Sequence, residues 1–186
     1  GSRMLALSAE LTRGAVPYNV TPEHTARAKE ILGPNKWLAV EQKVCLETSP
    51  TTARALGRGE LERYLGLPNY RRCWLSLGFS EDDLDHGGSD RFIDAMVVSG
   101  SVDAIQRRLD EHFDAGATHV CIQPVHVPGD LAAAERTLEA FATAWGGHKL
   151  AISRQHAEYQ ASPTGAREAD FRDSRISAGR RPNLEN

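Results

Sequence analysis

The sequence predicts an α/β protein with parallel strands. Two observations lead there. Up to about Trp145, stretches with the two-residue alternation of strands are interleaved with stretches of helical periodicity, each bounded by a cap or turn signal. The helical stretches run to ten or more residues, which is the length of a crossover rather than a hairpin loop, so successive strands lie parallel with helices packed outside them.

Taken in order, Leu5, Ala6, Ala9 and Leu11 suit a helix ending near Gly14, and "AVPY" follows as a short extended segment. "TPEHTARAKEILG" predicts the next helix, with Thr21 as N-cap, Pro22 in the first position and Gly33 as a left-handed stop. "WLAVEQKVCLE" alternates. Leu38, Val40, Val44 and Leu46 share one face, and Ala39, Glu41, Lys43 and Cys45 share the other. Ser49 and Pro50 open a helix carrying Ala53, Leu56, Leu61 and Leu65, which "GLPNY" breaks. Ser80 before "EDDL" and Ser89 before "DRFIDAMVV" are two further capped starts. A helix from about Val102 to Ala115 presents Ile105, Leu109 and Phe113 at spacing four and closes on Gly116. "THVCIQPV" is the last strand, and "DLAAAERTLEAFATAW" the last helix, capped by Asp130 and ended by Gly146. The 41 residues from Gly146 onward are rich in Arg, Ser, Ala and Gly, and their few large apolar side chains have no period. Such a composition predicts a flexible tail, because too little apolar surface is available to offset the entropy of ordering it.

Composition narrows the function. A chain of 186 residues with a formal charge of −3 offers no electrostatic footprint for nucleic acid or an anionic membrane. No stretch has the length of a membrane span. Cys45, Cys73 and Cys121 are odd in number and widely spaced, which points to free thiols in a reducing, cytoplasmic setting rather than to a disulfide framework or a structural zinc. The seven histidines form no metal-ligand spacing, and no P-loop, G-x-S-x-G or G-x-G-x-x-G is present.

In parallel α/β folds, functional groups gather at the carboxyl ends of the strands. That rule singles out Tyr18 and Asn19, Glu47 and Thr48, and Gln123 to His126. Glu41 and Lys43, two apart on one strand face, suit a buried ion pair better than a catalytic acid or base. His119, Cys121 and Gln123 alternate in the same way, with Gln123 nearest the carboxyl end. His126, in the loop beyond, is a weak candidate for proton transfer. His24, early in a capped helix, suits a capping turn rather than a ligand.

The stretches "GSRMLAL", "GAVPYNVTPEHTARAKEILG", "WLAVEQKVCLET", "YLGLPNY", "LGFSEDDL", "GGSDRFIDAM" and "AGATHVCIQ" closely resemble, in order, the carboxyl-terminal half of luciferase-like monooxygenases, in particular F420-dependent oxidoreductases. The resemblance runs from Gly1 to about Val125 and stops before the tail. It implies the end of a (β/α)8 TIM barrel: the helix after strand five, then roughly the last three strands with their outer helices over residues 1–145, with the tail at 146–186. It further implies hydride transfer to or from a small organic substrate, with coenzyme F420 or, alternatively, FMN as cofactor. The cofactor phosphate would sit at Gly1, Ser2, Arg3 and Met4, where a helix N-terminus favours an anion. Tyr18, Asn19 and Gln123 would line the cofactor or substrate pocket. Arg13 and Val16 stand where family members often carry aspartate and histidine, which weakens any ionic contact there. A half barrel leaves strand edges open, so the chain is expected to need a second chain or a second copy of itself. The competing expectation is a non-catalytic barrel fragment that self-associates.

Overall fold

Strand β2 (Trp37–Cys45) organises the fold, because its nine residues pair with every other strand of the described chain. A computed structural model describes residues 1–145. All pairings are parallel: β1 (Gly14–Ala15) against Trp37 and Leu38, β3 (Val97–Ser99) against Lys43 to Cys45, and β4 (His119–Pro124) against Ala39 to Val44. Lys43 and Val44 pair with β3 and β4 at once, so those two strands lie on opposite edges of β2. Leu38 pairs with β1 while its carbonyl accepts the amide of Thr118 at 2.9 Å, just before β4, so β1 shares the β3 edge. The result is a mixed α/β architecture with one small, all-parallel four-stranded sheet.

Eight helices surround it among the described residues: α1 (Ser2–Leu11), α2 (Pro22–Leu32), α3 (Pro50–Leu65), α4 (Pro68–Ser76), α5 (Glu81–Leu84), α6 (Asp90–Met96), α7 (Val102–Asp114) and α8 (Leu131–Trp145). Their boundaries follow from local chemistry. Pro22, Pro50 and Pro68 occupy first-turn positions, where the missing N–H costs nothing. The hydroxyls of Ser49, Ser80, Ser89 and Ser101 each accept an amide hydrogen bond from the first turn, and Ser80 with Asp83 completes a capping box. Gly33 ends α2 at φ 84, a conformation that disfavours any side chain.

Thr21 is the N-cap residue of α2, as expected, although its hydroxyl makes no capping bond. Three expectations are corrected. "GLPNY" does not merely break a helix; Pro68 starts α4. "DRFIDAMVV" is not helical to its end: the helix stops at Met96, and Val97 and Val98 pair with Lys43 and Val44 as a fourth strand. On α7 the third buried position is His112, not Phe113. Of the apolar positions expected to pack α1, Leu5 is buried while Leu11 is 67% exposed, because α1 meets the fold through one narrow stripe against α2 and β1. The flexible tail expected at 146–186 lies outside the described residues. Gly1–Phe141 forms one unit and Ala142–Asn186 a second, of which only the end of α8 is described.

Two apolar clusters cover the two faces of β2. Leu38 and Val40 pack with Ala28 and Leu32 of α2, with Leu5 and with Ala117. Cys45 packs with Ala53, Leu61 and Leu65 of α3, with Val97 and with Val125. Trp74 and Phe92 meet edge to face with ring centroids 4.7 Å apart, and Phe79 meets Phe92 at 5.3 Å, which ties α4 to α6. Both faces of the strand are therefore closed, and the charged face carries helix α3 over its carboxyl end.

Candidate functional site

Lys43 is the centre of the site. Its position on β2 turns it to the face opposite Val44, and its side chain is fully buried. A buried ammonium requires partners, and four acceptors surround Nζ: the hydroxyl of Tyr18 at 2.9 Å, Gln123 Oε1 at 3.1 Å, Glu41 Oε1 at 3.2 Å and Glu60 Oε1 at 3.3 Å. Nζ also lies 4.4 Å from the centre of the Tyr18 ring, within cation–π range. The ion pair expected between Glu41 and Lys43 is thus part of a larger cluster. It draws on the end of β1, on β2, on β4 and on α3.

The hydrogen bonds around Tyr18 can be assigned by elimination. Arg63 donates to the Tyr64 hydroxyl oxygen at 2.6 Å, and burial pushes the Tyr64 phenol up to about 12, so it keeps its proton. That proton goes to the Tyr18 oxygen 3.1 Å away, which also accepts from Lys43, while the Tyr18 proton goes to Gln123 Oε1 at 2.7 Å. Gln123 in turn donates its amide to Glu60 at 3.1 Å. Burial raises the Glu41 carboxyl above its ordinary range, and the nearby Lys43 opposes that shift.

Asn19 is held differently. At φ 55 it adopts the left-handed conformation that asparagine tolerates better than most residues. Its N–H donates to Glu41 Oε2 at 3.2 Å, and its carbonyl accepts from the Trp74 indole at 3.0 Å. Its side-chain amide is enclosed with no hydrogen-bond partner among the described residues.

Beside this cluster is a cavity of about 540 Å³, within the size range of small-molecule sites. Gly1, Met4, Leu5 and Ser8 of the α1 side, Gly14 to Tyr18, Val20, His24 of α2, and Asn69, Tyr70 and Cys73 of α4 line it. His24 is pushed down to about 4, mainly by burial and further by neighbouring positive charge, so its ring is neutral near pH 7. The Cys73 thiol is raised by burial.

Of the residues singled out from sequence, Tyr18 and Gln123 meet directly, and Asn19 joins them through Glu41. Gly1 and Met4 share the cavity with Tyr18, while Ser2 and Arg3 are exposed on the first turn of α1. His126 is not part of the assembly. It is half-buried, and its Nδ1 lies 2.8 Å from the Val127 carbonyl oxygen. No family model matches the chain, no curated protein matches it in sequence, and no solved structure matches it in fold.

Sequence reasoning missed Glu60, Tyr64 and Tyr70. Glu60 and Tyr64 are four apart on α3 and so project from one face, a spacing that could have placed them together. It also missed a second buried polar group on the other face of β2. There His112 contacts Thr25 Oγ1 through Nδ1 and Gln42 Oε1 through Nε2, both at 2.9 Å, and Gln42 donates to the Met96 carbonyl at 3.1 Å.

Proposed function

We propose that this chain is the carboxyl-terminal half of a luciferase-like (β/α)8 barrel and contributes part of the site of an oxidoreductase dependent on F420 or FMN. In this reading β1, β2 and β4 stand for strands six, seven and eight. The parallel order β1, β2, β4 supports it, as does the gathering of functional groups at the carboxyl ends of those strands. The observation that carries the reading is the bond between Tyr18 and Gln123 over the buried Lys43, at the wall of a cavity that Gly1 and Met4 also line.

The residues present fit a planar ligand with a phosphate arm. The cavity is large enough for a ring system, and Tyr18 and Tyr70 offer aromatic walls. The first amides of α1, with Ser2 and Arg3, would hold the phosphate at the rim. Such a cofactor supplies hydride chemistry when bound. The chain's own groups exclude water, orient the reactants and fix hydrogen bonds at the Tyr18 hydroxyl. The setting is cytoplasmic and the substrate a small organic molecule; no described helix is long and apolar enough to cross a membrane.

Fluorescence titration of the full chain with F420 and with FMN tests the proposal. Saturable binding of either, weakened by Tyr18→Ala, is expected. A folded chain that binds neither refutes it.

A second reading has an observation of its own. Met4, Leu7 and Leu11 form an exposed apolar stripe on α1, and Val16, 75% exposed, lies beyond β1, which pairs on one edge only among the described residues. A second copy of the chain covering this surface would make a self-associating fragment. Sedimentation velocity decides: a dimer dispersed by Leu7→Glu supports this reading, and a monomer counts against it.

A further inference from the structure

The second buried polar cluster lies on the Gln42 face of β2, across the strand from Lys43. Thr25 of α2, Gln42 of β2 and His112 of α7 are all fully buried, so their polar atoms need partners inside the protein. Their hydrogens can be placed by elimination. Gln42 Nε2 donates to the carbonyls of Lys43 at 2.9 Å and Met96 at 3.1 Å. The opposite amide orientation would set Oε1 against two acceptors. Oε1 therefore faces His112, and the ring Nε2 carries the hydrogen that it donates to Oε1 at 2.9 Å. In a neutral ring Nδ1 is then a bare acceptor, and its donor among the described residues is the Thr25 hydroxyl at 2.9 Å.

That hydroxyl has a second acceptor in reach. The Thr21 carbonyl, one turn back on α2, lies 3.3 Å from Thr25 Oγ1. It already accepts the Thr25 amide at 3.1 Å, so it is satisfied whether or not the hydroxyl turns to it. The cluster thus has two complete sets of hydrogen bonds. With the ring neutral, Thr25 donates to Nδ1. With a proton on Nδ1, the ring donates to Thr25 Oγ1, whose own hydrogen rotates onto the Thr21 carbonyl, and the bond to Gln42 is unchanged. One N–H bond forms from the Nδ1 lone pair and no covalent bond breaks.

The charges around the ring come from two helices. Arg108 of α7 and His24 of α2 oppose a proton there, and Glu23 of α2 favours it. The other charged residues of α2 and α7 are exposed, apart from Lys29, whose Nζ donates to the Pro34 carbonyl at 3.1 Å. The strands packed against α7 add no charge: β2 sets Val40 and Val44 beside Gln42, β4 sets Val120 and Ile122 on the same face, and β3 has no titratable side chain.

We infer that Thr25, Gln42 and His112 form an internal proton-binding switch, in which a proton taken up at His112 Nδ1 turns the Thr25 hydroxyl from the ring to the Thr21 carbonyl. The folded chain accepts that proton without orphaning a polar group. The switch acts on the first turn of α2, where Thr21 is the N-cap residue; Asn19, two residues earlier, is tied to Glu41 through its N–H at 3.2 Å. Burial, with Arg108, takes the ring down to about 4, so the neutral arrangement holds near pH 7 and the other forms as pH falls through about 4.

NMR of the full chain, labelled with nitrogen-15 in histidine and carbon-13 at the threonine carbonyl, tests this, with His112→Gln to assign the ring signals. Near pH 7, His112 is expected as the Nε2–H tautomer. On acidification both ring nitrogens should carry hydrogen with a midpoint near about 4, and the Thr21 carbonyl carbon should shift with the same midpoint. Thr25→Ser should preserve both responses. Thr25→Val removes the group that receives the Nδ1 hydrogen, and because bonds to charged donors are the stronger ones, the midpoint should fall by about one unit. An Nδ1–H tautomer or a charged ring near pH 7, a Thr21 carbonyl that stays put while the ring titrates, or a midpoint unmoved by Thr25→Val in a folded chain overturns the inference. Unfolding of the wild type before the ring titrates overturns it as well. If Thr25→Val does not fold, the wild-type and Thr25→Ser spectra decide.

Discussion

Acid should weaken this fold through His112, and the size of the effect can be worked out. The ring is fully buried between α2, α7 and β2, and burial, with the nearby Arg108, takes it from its ordinary 6.5 down to about 4. Glu23 pulls the other way and His24 adds to the lowering. A folded value below the unfolded one means that the unfolded chain takes up the proton first. The stability tied to a neutral His112 is therefore complete above about pH 6.5 and drains away as pH falls toward about 4. Between about pH 7.5 and about pH 5 the linkage relation gives a loss of roughly 2 kcal/mol from this residue. The replacement His112→Gln removes the titration while keeping a side chain that can both donate and accept. Urea unfolding of wild type and variant at the two pH values should show the wild type losing roughly 2 kcal/mol more than the variant. The difference cancels the parallel contribution of His24, which titrates in the same window. Equal losses in the two proteins would refute the reasoning, because the ring would then be reaching water or carrying its proton in the native state.

Three other outcomes follow from the geometry. Gly14→Ala places a Cβ 2.0 Å from the Trp37 carbonyl oxygen, a backbone clash that no rotamer relieves; stability should fall by about 3 kcal/mol or more in urea unfolding, with β1 released from β2. Lys43→Met leaves Glu41 and Glu60 without the ammonium between them and should cost about 3–5 kcal/mol near neutral pH. Since burial already raises Glu41, that variant should recover stability relative to wild type as pH falls, and a deficit independent of pH would contradict the ion-pair assignment. Trp74→Phe keeps an aromatic ring beside Phe92 but orphans the Asn19 carbonyl, which predicts a loss of about 1–3 kcal/mol measured by thermal or urea unfolding.

How far the sequence revealed the fold can be judged from particular elements. Helices α2, α3 and α7 were legible because each begins at a proline or serine signal and carries a clear apolar stripe. β2 was legible because nine residues suffice to show alternation. β3 was not. Three residues cannot display a period of two, and Val97 and Val98 directly follow a helical stripe that they extend in sequence. What makes them a strand is the open edge of β2 at Lys43 and Val44, which is tertiary and leaves no local mark. His112 was hidden for a related reason. A polar letter in an apolar stripe reads as the stripe's margin, and only the presence of Gln42 and Thr25 on two other elements makes its burial affordable.

The candidate site divides along the same line. Tyr18 and Gln123 were found by a rule about where strands end, which needs no knowledge of what lies above them. Lys43 was placed on the correct face but read as a two-member ion pair, because alternation reports which side of a strand a residue takes and not what covers that side. The cover is α3. Its Leu61 and Leu65 anchor it on the cluster around Cys45, and on the same helix Glu60 and Tyr64 come to rest against Lys43 and Tyr18. One helix thus supplies both the apolar contact that holds it over the sheet and the polar groups that neutralise what the sheet exposes there. Moving α3 by a single turn would leave Lys43 facing a gap with one carboxylate instead of two, so the position of that helix, set by packing at Ala53, Gly57 and Leu61, determines whether the face of β2 is a closed cluster or an open wall. The Cβ that Gly57→Ala would add lies 2.8 Å from Ile93 Cγ2, so enlarging this one contact pushes on the helix that closes the site.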